Sequence, residues 1–145
     1  MFRLTAASMF AVIILLASLT NPTQAEIENR YASESICVFE YIGYEHKNRA
    51  NPVIAKFRPI KVLKGPRYGR DIPIHYGSHP KNTKYSMPIR GSRWILFIPV
   101  AIPTVGMFET FHGSEGRIEW SEEAQQKVLL DIQTFSKSAT PPVVN

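Results

Sequence analysis

The sequence predicts a small, mainly β protein, a barrel or sandwich with one C-terminal helix. The clearest observation is an unbroken apolar run from Trp94 to Ile98, entered through Gly91-Ser92-Arg93 and closed by Pro99. Such a short run with Gly and Pro borders favours a strand that is covered on both faces. Other short segments rich in β-branched and aromatic residues lie between Gly and Pro turns, and residues 121–135 have helical spacing of apolar residues.

The N-terminus has the pattern of a secretory signal peptide. Arg3 precedes a run from Met9 to Leu19 that is apolar except for Ser18, and Thr23-Gln24-Ala25 ends in a small residue. We expect residues 1–25 to be removed after Ala25, which would make the protein periplasmic or secreted. The alternative is an uncleaved anchor, but the run is shorter than the roughly 20 residues that a spanning helix needs. No membrane attachment is therefore expected after cleavage.

The remaining 120 residues fit one domain, predicted over residues 26–136, with a disordered tail over 137–145. Loss of Arg3 lowers the net charge from +5 to +4. This mild charge is not the dense basic footprint of a dedicated nucleic-acid binder. A single cysteine, Cys37, excludes an intramolecular disulfide and is more often a small buried residue than a reactive thiol. If Cys37 were exposed it could join two chains, but a monomer is expected.

Three strands are predicted before the Trp94–Ile98 run. The first covers residues 35–44, with Cys37 and Phe39 on one face and Ile36 on the other. The second covers residues 53–65, and its apolar phase slips beside Pro59, which indicates a β-bulge. The third covers residues 71–76, where a proline fits best at a sheet edge.

The rest of the domain is predicted to complete the sheet and to cover it. Residues 94–98 form a central strand, with Trp94 facing the barrel interior and Phe97 facing the terminal helix. Residues 107–111 and 117–120, separated by a glycine turn, are expected to form a hairpin. Ser121 is a predicted N-cap for a helix. Its predicted apolar stripe consists of Val128, Leu129, Ile132 and Phe135.

Several of these segments, taken together, resemble a known group of exported proteins. They are similar to the netrin-like, or metalloprotease-inhibitor-like, OB-type barrels. The segments that carry the resemblance are the strand end Ile60-Lys61-Val62-Leu63-Lys64-Gly65, the following Ile72–Tyr76 segment, the Gly91–Phe97 segment and the terminal helix. The resemblance implies an OB-like barrel of about five to six strands with one C-terminal helix. The inhibitors in this group chelate the protease zinc through an N-terminal cysteine. Here the predicted mature end is Glu26 and the framework cysteines are missing, so the resemblance does not extend to inhibition.

The sequence contains no convincing catalytic constellation. His75, His79 and His112 make a zinc site or a small envelope hydrolase conceivable, but Gly77 and Pro80 place the first two on strand and loop rather than on one helix face. The G-x-S-x-G nucleophile elbow is absent. We therefore expect no enzymatic activity and no cofactor, and we keep the metal-binding protein or hydrolase as the alternative.

The leading hypothesis is an exported, non-enzymatic binding module. A long loop, residues 77–89, is the predicted contact surface, and its candidate binding residues are His79, Lys81, Lys84 and Tyr85. A band of cations runs through the second strand, the following turn and this loop, with tyrosines interleaved, and OB-type barrels commonly use such surfaces to bind oligonucleotides or sugars. Its members are Lys56, Arg58, Lys61, Lys64, Arg67, Arg70, Lys81 and Lys84, with Tyr68, Tyr76 and Tyr85. The expected partner is a protein or an anionic polymer in the cell envelope or outside the cell, and not a specific nucleic acid. Ordinary solvated strand faces and turns are the alternative explanation of these cations.

Overall fold

The computed structural model describes residues 23–45, 53–77 and 88–138. It confirms a mainly β fold, in which five antiparallel strands form one open sheet in the order β3-β2-β1-β4-β5 and a long helix follows at the C-terminus. This arrangement is consistent with a small OB-like fold. The strands are β1 (Ser35–Glu45), β2 (Ile54–Lys64), β3 (Ile72–His75), β4 (Arg93–Ile98) and β5 (Arg117–Glu119).

The centre of the sheet is β1 rather than β4, so the sequence-based choice of the 94–98 run as the central strand is wrong. The 11 residues of β1 pair with β2 on one side and with β4 on the other. Strand β4 is the next strand outward and pairs with β5 on its far side. Its apolar run is nevertheless covered on both faces, because residues 95–98 are all buried.

The predicted bulge in β2 is confirmed. Val38 pairs with Lys61 and Phe39 pairs with Pro59, so Ile60 has no partner in the ladder. A second irregularity skips Leu63. These extra residues bend and twist the strand, and the bending lets the sheet curl around its core. The predicted edge position of Pro73 is also confirmed, since β3 pairs only with β2 in this sheet.

The predicted hairpin between residues 107–111 and 117–120 is wrong. Strand β5 pairs with β4, while a short 3-10 helix, Gly113–Gly116, precedes it. The segment before that helix joins the two sides of the sheet. Phe108 exchanges backbone hydrogen bonds with β3 at His75 and Pro73, and the Phe111 N–H donates to the Phe97 carbonyl of β4.

Two apolar clusters lie on opposite faces of the sheet. The barrel cluster contains Cys37, Phe39, Phe57, Leu96, Phe108 and their neighbours, with Trp94 packed against it. The helix-side cluster contains Ile36, Val38, Ile95 and Phe97, covered by Val128, Ile132 and Phe135. The predicted faces of the first strand and of the Trp94–Ile98 run are therefore confirmed, including Phe97 beneath the terminal helix.

Two helices cover the second cluster. The C-terminal helix α2 (Glu122–Ser138) begins as predicted, with the Ser121 hydroxyl accepting the Ala124 N–H at 3.0 Å, and it continues two residues past the predicted domain end. Leu129, predicted for its stripe, is half-buried but lies outside the cluster, where Ala124 packs instead. A helix that the sequence analysis does not predict, α1 (Gln24–Tyr31), adds Ile27 and Tyr31 to the same cluster. Within residues 23–45, 53–77 and 88–138, no helix has the length and apolar character that a membrane crossing requires.

Candidate functional site

The predicted binding residues are not placed by the structure. His79, Lys81, Lys84 and Tyr85 lie outside the described residues. The loop they occupy is predicted over residues 77–89; at its two ends the Gly77 carbonyl accepts the Val53 N–H and the Ile89 carbonyl accepts the Ser92 N–H. The hypothesis that this loop is the contact surface therefore stays a prediction.

The two described histidines of the alternative metal site face different carboxylates. The Nδ1 atom of His75 lies 3.6 Å from Glu109, and that of His112 lies 3.3 Å from Glu115. No group of three or more His, Cys, Asp or Glu side chains is close enough to hold a metal ion among the residues that the structure describes. The third histidine of the hypothesis, His79, falls outside them.

Cys37 is a buried residue, as its position on a strand predicts. Its side chain is 1 % exposed within the barrel cluster, and its sulfur lies 3.4 Å from the Ser35 hydroxyl. Burial raises the pKa of the thiol, which disfavours the reactive thiolate. The geometry gives Cys37 a packing role and leaves no surface on which it could join two chains.

The band of cations and tyrosines is mostly engaged within the fold. Lys56 pairs with Glu45, and the Lys64 amino group donates to the Tyr31 carbonyl at 2.7 Å. Tyr76 is buried beneath the Arg117 guanidinium, which lies 3.7 Å from its ring centroid. Tyr68 is half-buried and packs against the barrel cluster. The two described tyrosines of the band, Tyr68 and Tyr76, are therefore not exposed rings, while Tyr85 lies outside the described residues.

An exposed loop without any charged side chain follows β4. We call residues 99–107 the apolar loop; its sequence is Pro-Val-Ala-Ile-Pro-Thr-Val-Gly-Met. Three of its aliphatic side chains are solvent-exposed, with Val100 at 55 %, Ile102 at 74 % and Val105 at 89 %. Three exposed aliphatic side chains within six residues make this loop a candidate interaction surface.

Hydrogen bonds hold the apolar loop in one shape. The Glu34 carboxylate accepts the Ala101 N–H at 2.7 Å, and the Glu34 N–H donates to the Pro99 carbonyl. Thr104 and Met107 exchange backbone hydrogen bonds around a two-residue turn. Phe108 then anchors the chain to β3. The exposed aliphatic side chains are thus presented by a fixed backbone.

The tip of the apolar loop stores backbone strain. Val105 has φ +52° and Gly106 has φ +78°, which are the two positive angles that a type I′ turn requires. Asn, Asp and Gly are the usual residues in such turns, whereas a β-branched side chain at positive φ is an outlier. Valine is therefore present at this tip although another residue would suit the backbone better, and such strain is typical of functional sites.

Of the clefts that described residues line near this end of the molecule, two adjoin the apolar loop and the second half of β2. One, of about 310 Å³, separates the apolar loop from Glu109, Thr110 and His112. The other, of about 510 Å³, lies beside the second half of β2, and we call it the basic cleft. Its lining residues are Pro59, Ile60, Lys61, Val62, Arg67 and Tyr68.

The basic cleft and the apolar loop lie at the same end of the sheet. Ser35 pairs with Ile98 and Ile36 pairs with Lys64, so the start of β1 meets the ends of β4 and β2. The apolar loop follows directly after Ile98. Arg67 and Tyr68, which form one wall of the basic cleft, follow shortly after Lys64. Tyr68 of the cleft packs edge-on against Phe108 at 5.5 Å, next to the loop. We take this end of the sheet as the candidate functional site.

Sequence reasoning treats residues 100–106 only as a proline-containing turn that leads into the predicted 107–111 strand. The available signal is the absence of charge over nine residues in a chain with 20 % charged residues. That signal cannot tell an exposed loop from a buried one, because exposure depends on contacts with residues distant in sequence. No protein-family model matches the chain, and no curated protein does.

Proposed function

We propose that the chain is an exported, non-enzymatic binding module that contacts a partner protein through the apolar loop. The observation that carries the proposal is the exposure of Val100, Ile102 and Val105 on a loop whose backbone is fixed by hydrogen bonds. Burial of such side chains against a partner is favourable by about 25 cal/mol per Å² of apolar area. Little conformational entropy is lost in binding when the loop is already ordered.

The strain at Val105 supports the same proposal. A valine in the left-handed region costs about 1 to 2 kcal/mol relative to a residue that favours this region. The backbone hydrogen bonds between Thr104 and Met107 hold the turn, but the Val105 side chain gains little from burial, because it is the most exposed large apolar side chain among the described residues. Burial of the Val105 side chain against a partner protein would offset this cost. Export, predicted from residues 1–25, places that partner in the envelope or outside the cell.

The netrin-like affiliation belongs to the same proposal. It is supported by the five-stranded sheet, the bulged β2 and the terminal helix. It supplies no partner, because the cysteine-based inhibitory mechanism of that group has no counterpart in this sequence.

A capture experiment tests the loop. The exported protein, immobilised at low density, is exposed to envelope and culture-medium proteins from the source cells, and captured proteins are compared between the wild type and Ile102→Glu. The matched control is Leu130→Glu, since Leu130 is also aliphatic and 63 % exposed but lies on α2. We expect one or more proteins to be captured by the wild type and the control and lost with Ile102→Glu.

The proposal is overturned if capture is the same for all three proteins or if the control loses capture equally. Thermal unfolding of each variant accompanies the experiment. Both substitutions replace exposed side chains, so their midpoints are expected to stay close to that of the wild type, corresponding to changes within about 0.5 kcal/mol.

A further inference from the structure

We infer that the basic cleft binds an acidic segment of the partner protein, one that carries aliphatic side chains between its carboxylates. The inference rests on the proposed function, since it names a second contact made by the same partner. The positive charge of the cleft and its exposed aliphatic side chains indicate this class of ligand. Nucleic acids and anionic polysaccharides are the competing ligands.

The charge of the cleft is positive and is not neutralised from within. Lys61 and Arg67 line it and are exposed, and neither forms an ion pair with another residue in the described parts of the chain. No acidic residue is among the described residues that line it. Arg58, further along β2, differs in that it lies 3.5 Å from Asp71. Cations presented without local partners steer carboxylates toward a surface and fix their register.

The contact surface between the cations is aliphatic. Ile60, which the bulge leaves without a partner in the ladder, is 44 % exposed, and Val62 is exposed to a lesser degree. The one aromatic ring of the described lining, Tyr68, is turned inward, with its centroid 5.8 Å from that of Phe39 and 5.5 Å from that of Phe108. Single-stranded nucleic acids gain much of their affinity by stacking on exposed rings. The exposed aliphatic side chains of Ile60 and Val62 are better suited to contact an apolar side chain of a polypeptide than to stack on a nucleobase.

The side chains, rather than the strand edge, are expected to make this contact. Pro59 has no N–H to donate, and the bulges at Ile60 and Leu63 interrupt the regular spacing that an added strand requires. A second copy of the chain is also disfavoured here. Pairing of residues 58–64 with themselves would place Arg58, Lys61 and Lys64 opposite cations of the same kind.

Two short synthetic peptides test the assignment on the full exported protein. One repeats Glu-Val-Glu-Ser and the other repeats Glu-Ser-Glu-Ser, so that they have the same charge and differ in aliphatic content. Polyphosphate, oligothymidylate and heparin are the competing probes. We expect the valine peptide to bind about tenfold more tightly than the serine peptide, and to weaken as salt rises because the charges are exposed.

Cleft variants then locate the binding. Lys61→Glu and Arg67→Glu are each expected to weaken binding of the valine peptide about tenfold. Arg90→Glu, an equal charge change at an exposed residue beyond the opposite end of β4, is expected to leave it unchanged. Ile60→Ser is expected to remove the preference for valine over serine while leaving the weaker, salt-dependent binding in place.

The inference is overturned if neither peptide binds, if the two peptides bind equally, or if a polymer probe binds more tightly than the valine peptide. It is also overturned if Arg90→Glu weakens binding as much as Lys61→Glu does. Failure of the proposed function has a different outcome, namely protein capture that survives Ile102→Glu. Capture that is lost with Ile102→Glu and unchanged with Lys61→Glu leaves the function standing and removes the cleft from it.

Discussion

Gly65 occupies the tightest backbone contact of the turn between β2 and β3. Its φ is +82°, and a Cβ atom placed on it would lie 2.0 Å from the Glu34 carbonyl oxygen. Glu34 is also the residue that holds the apolar loop through Ala101. A glycine at this point therefore allows three chain segments to meet at the candidate site.

We expect Gly65→Ala to destabilise the fold by about 2 to 4 kcal/mol, since it combines an unfavourable positive φ with a clash against backbone that cannot rotate away. Gly69→Ala is the matched control in the same turn, because a Cβ there would meet nothing within 4 Å. Its effect is expected to stay within about 0.5 kcal/mol. Urea unfolding of both variants measures the difference. Equal stability of the two variants would show that Gly65 does not make this close approach in solution.

At the scale of elements, α1 and α2 are linked by a polar contact at the margin of the helix-side cluster. The Tyr31 hydroxyl of α1 donates to the Asp131 carboxylate of α2 at 2.8 Å, and Lys127 donates to the same oxygen. Burial raises the pKa of Tyr31, and the negative charge of Asp131 raises it further. Partial burial acts to raise the pKa of Asp131, but the hydrogen bonds from Lys127 and Tyr31 lower it overall. The contact is therefore most favourable with Tyr31 neutral and Asp131 charged.

This contact predicts a loss of stability at alkaline pH. The pKa of Tyr31 is higher in the folded state than its ordinary value of 10.0, so the contribution is fully present below pH 10 and declines as the pH rises above it. We expect the stability advantage of the wild type over Tyr31→Phe to shrink from pH 9 to pH 11, about one unit on either side of that ordinary value. Urea unfolding at each pH measures this advantage, and Tyr44→Phe, with its exposed ring, is the control. An advantage that is constant over this range would contradict the assignment.

The sequence predicts the elements that depend on local patterns and misses those that depend on contacts distant in sequence. Residues 35–44 alternate strictly enough to assign both faces of β1, and the phase slip beside Pro59 locates the bulge. The 107–111 segment has strand-forming residues, but its hydrogen bonds go to β3 and β4, which no local pattern encodes. Helix α1 spans the expected cleavage site after Ala25. The signal-peptide pattern of the same residues therefore hides the pattern of a helix that belongs to the fold.

At the scale of the whole molecule, one sheet separates two apolar clusters, and the candidate functional site lies at one end of that sheet. The cover on the helix side comes from α1 and α2, while the barrel side is closed by Phe108 and Tyr68. The apolar loop could not be predicted as a site from the sequence, whereas Lys61, Arg67 and Tyr68 of the basic cleft belong to the band of cations and tyrosines that the sequence does single out. The exposure of Ile102 and of Ile60 in the folded chain is a tertiary property that no local pattern encodes.

Because Cys37 is buried, the rate at which a thiol reagent modifies it measures how often the fold opens. The chain has one thiol, which lies on the middle strand with only 1 % of its surface accessible. A thiol reagent can reach it only when β1 separates from its neighbours, so the modification rate reports the population of opened molecules. We expect this rate to follow global stability, rising with Gly65→Ala and unchanged with Gly69→Ala, as mass spectrometry of the modified chain would measure. Rapid modification of the stable native protein would mean that the strands around β1 part far more often than the rest of the fold.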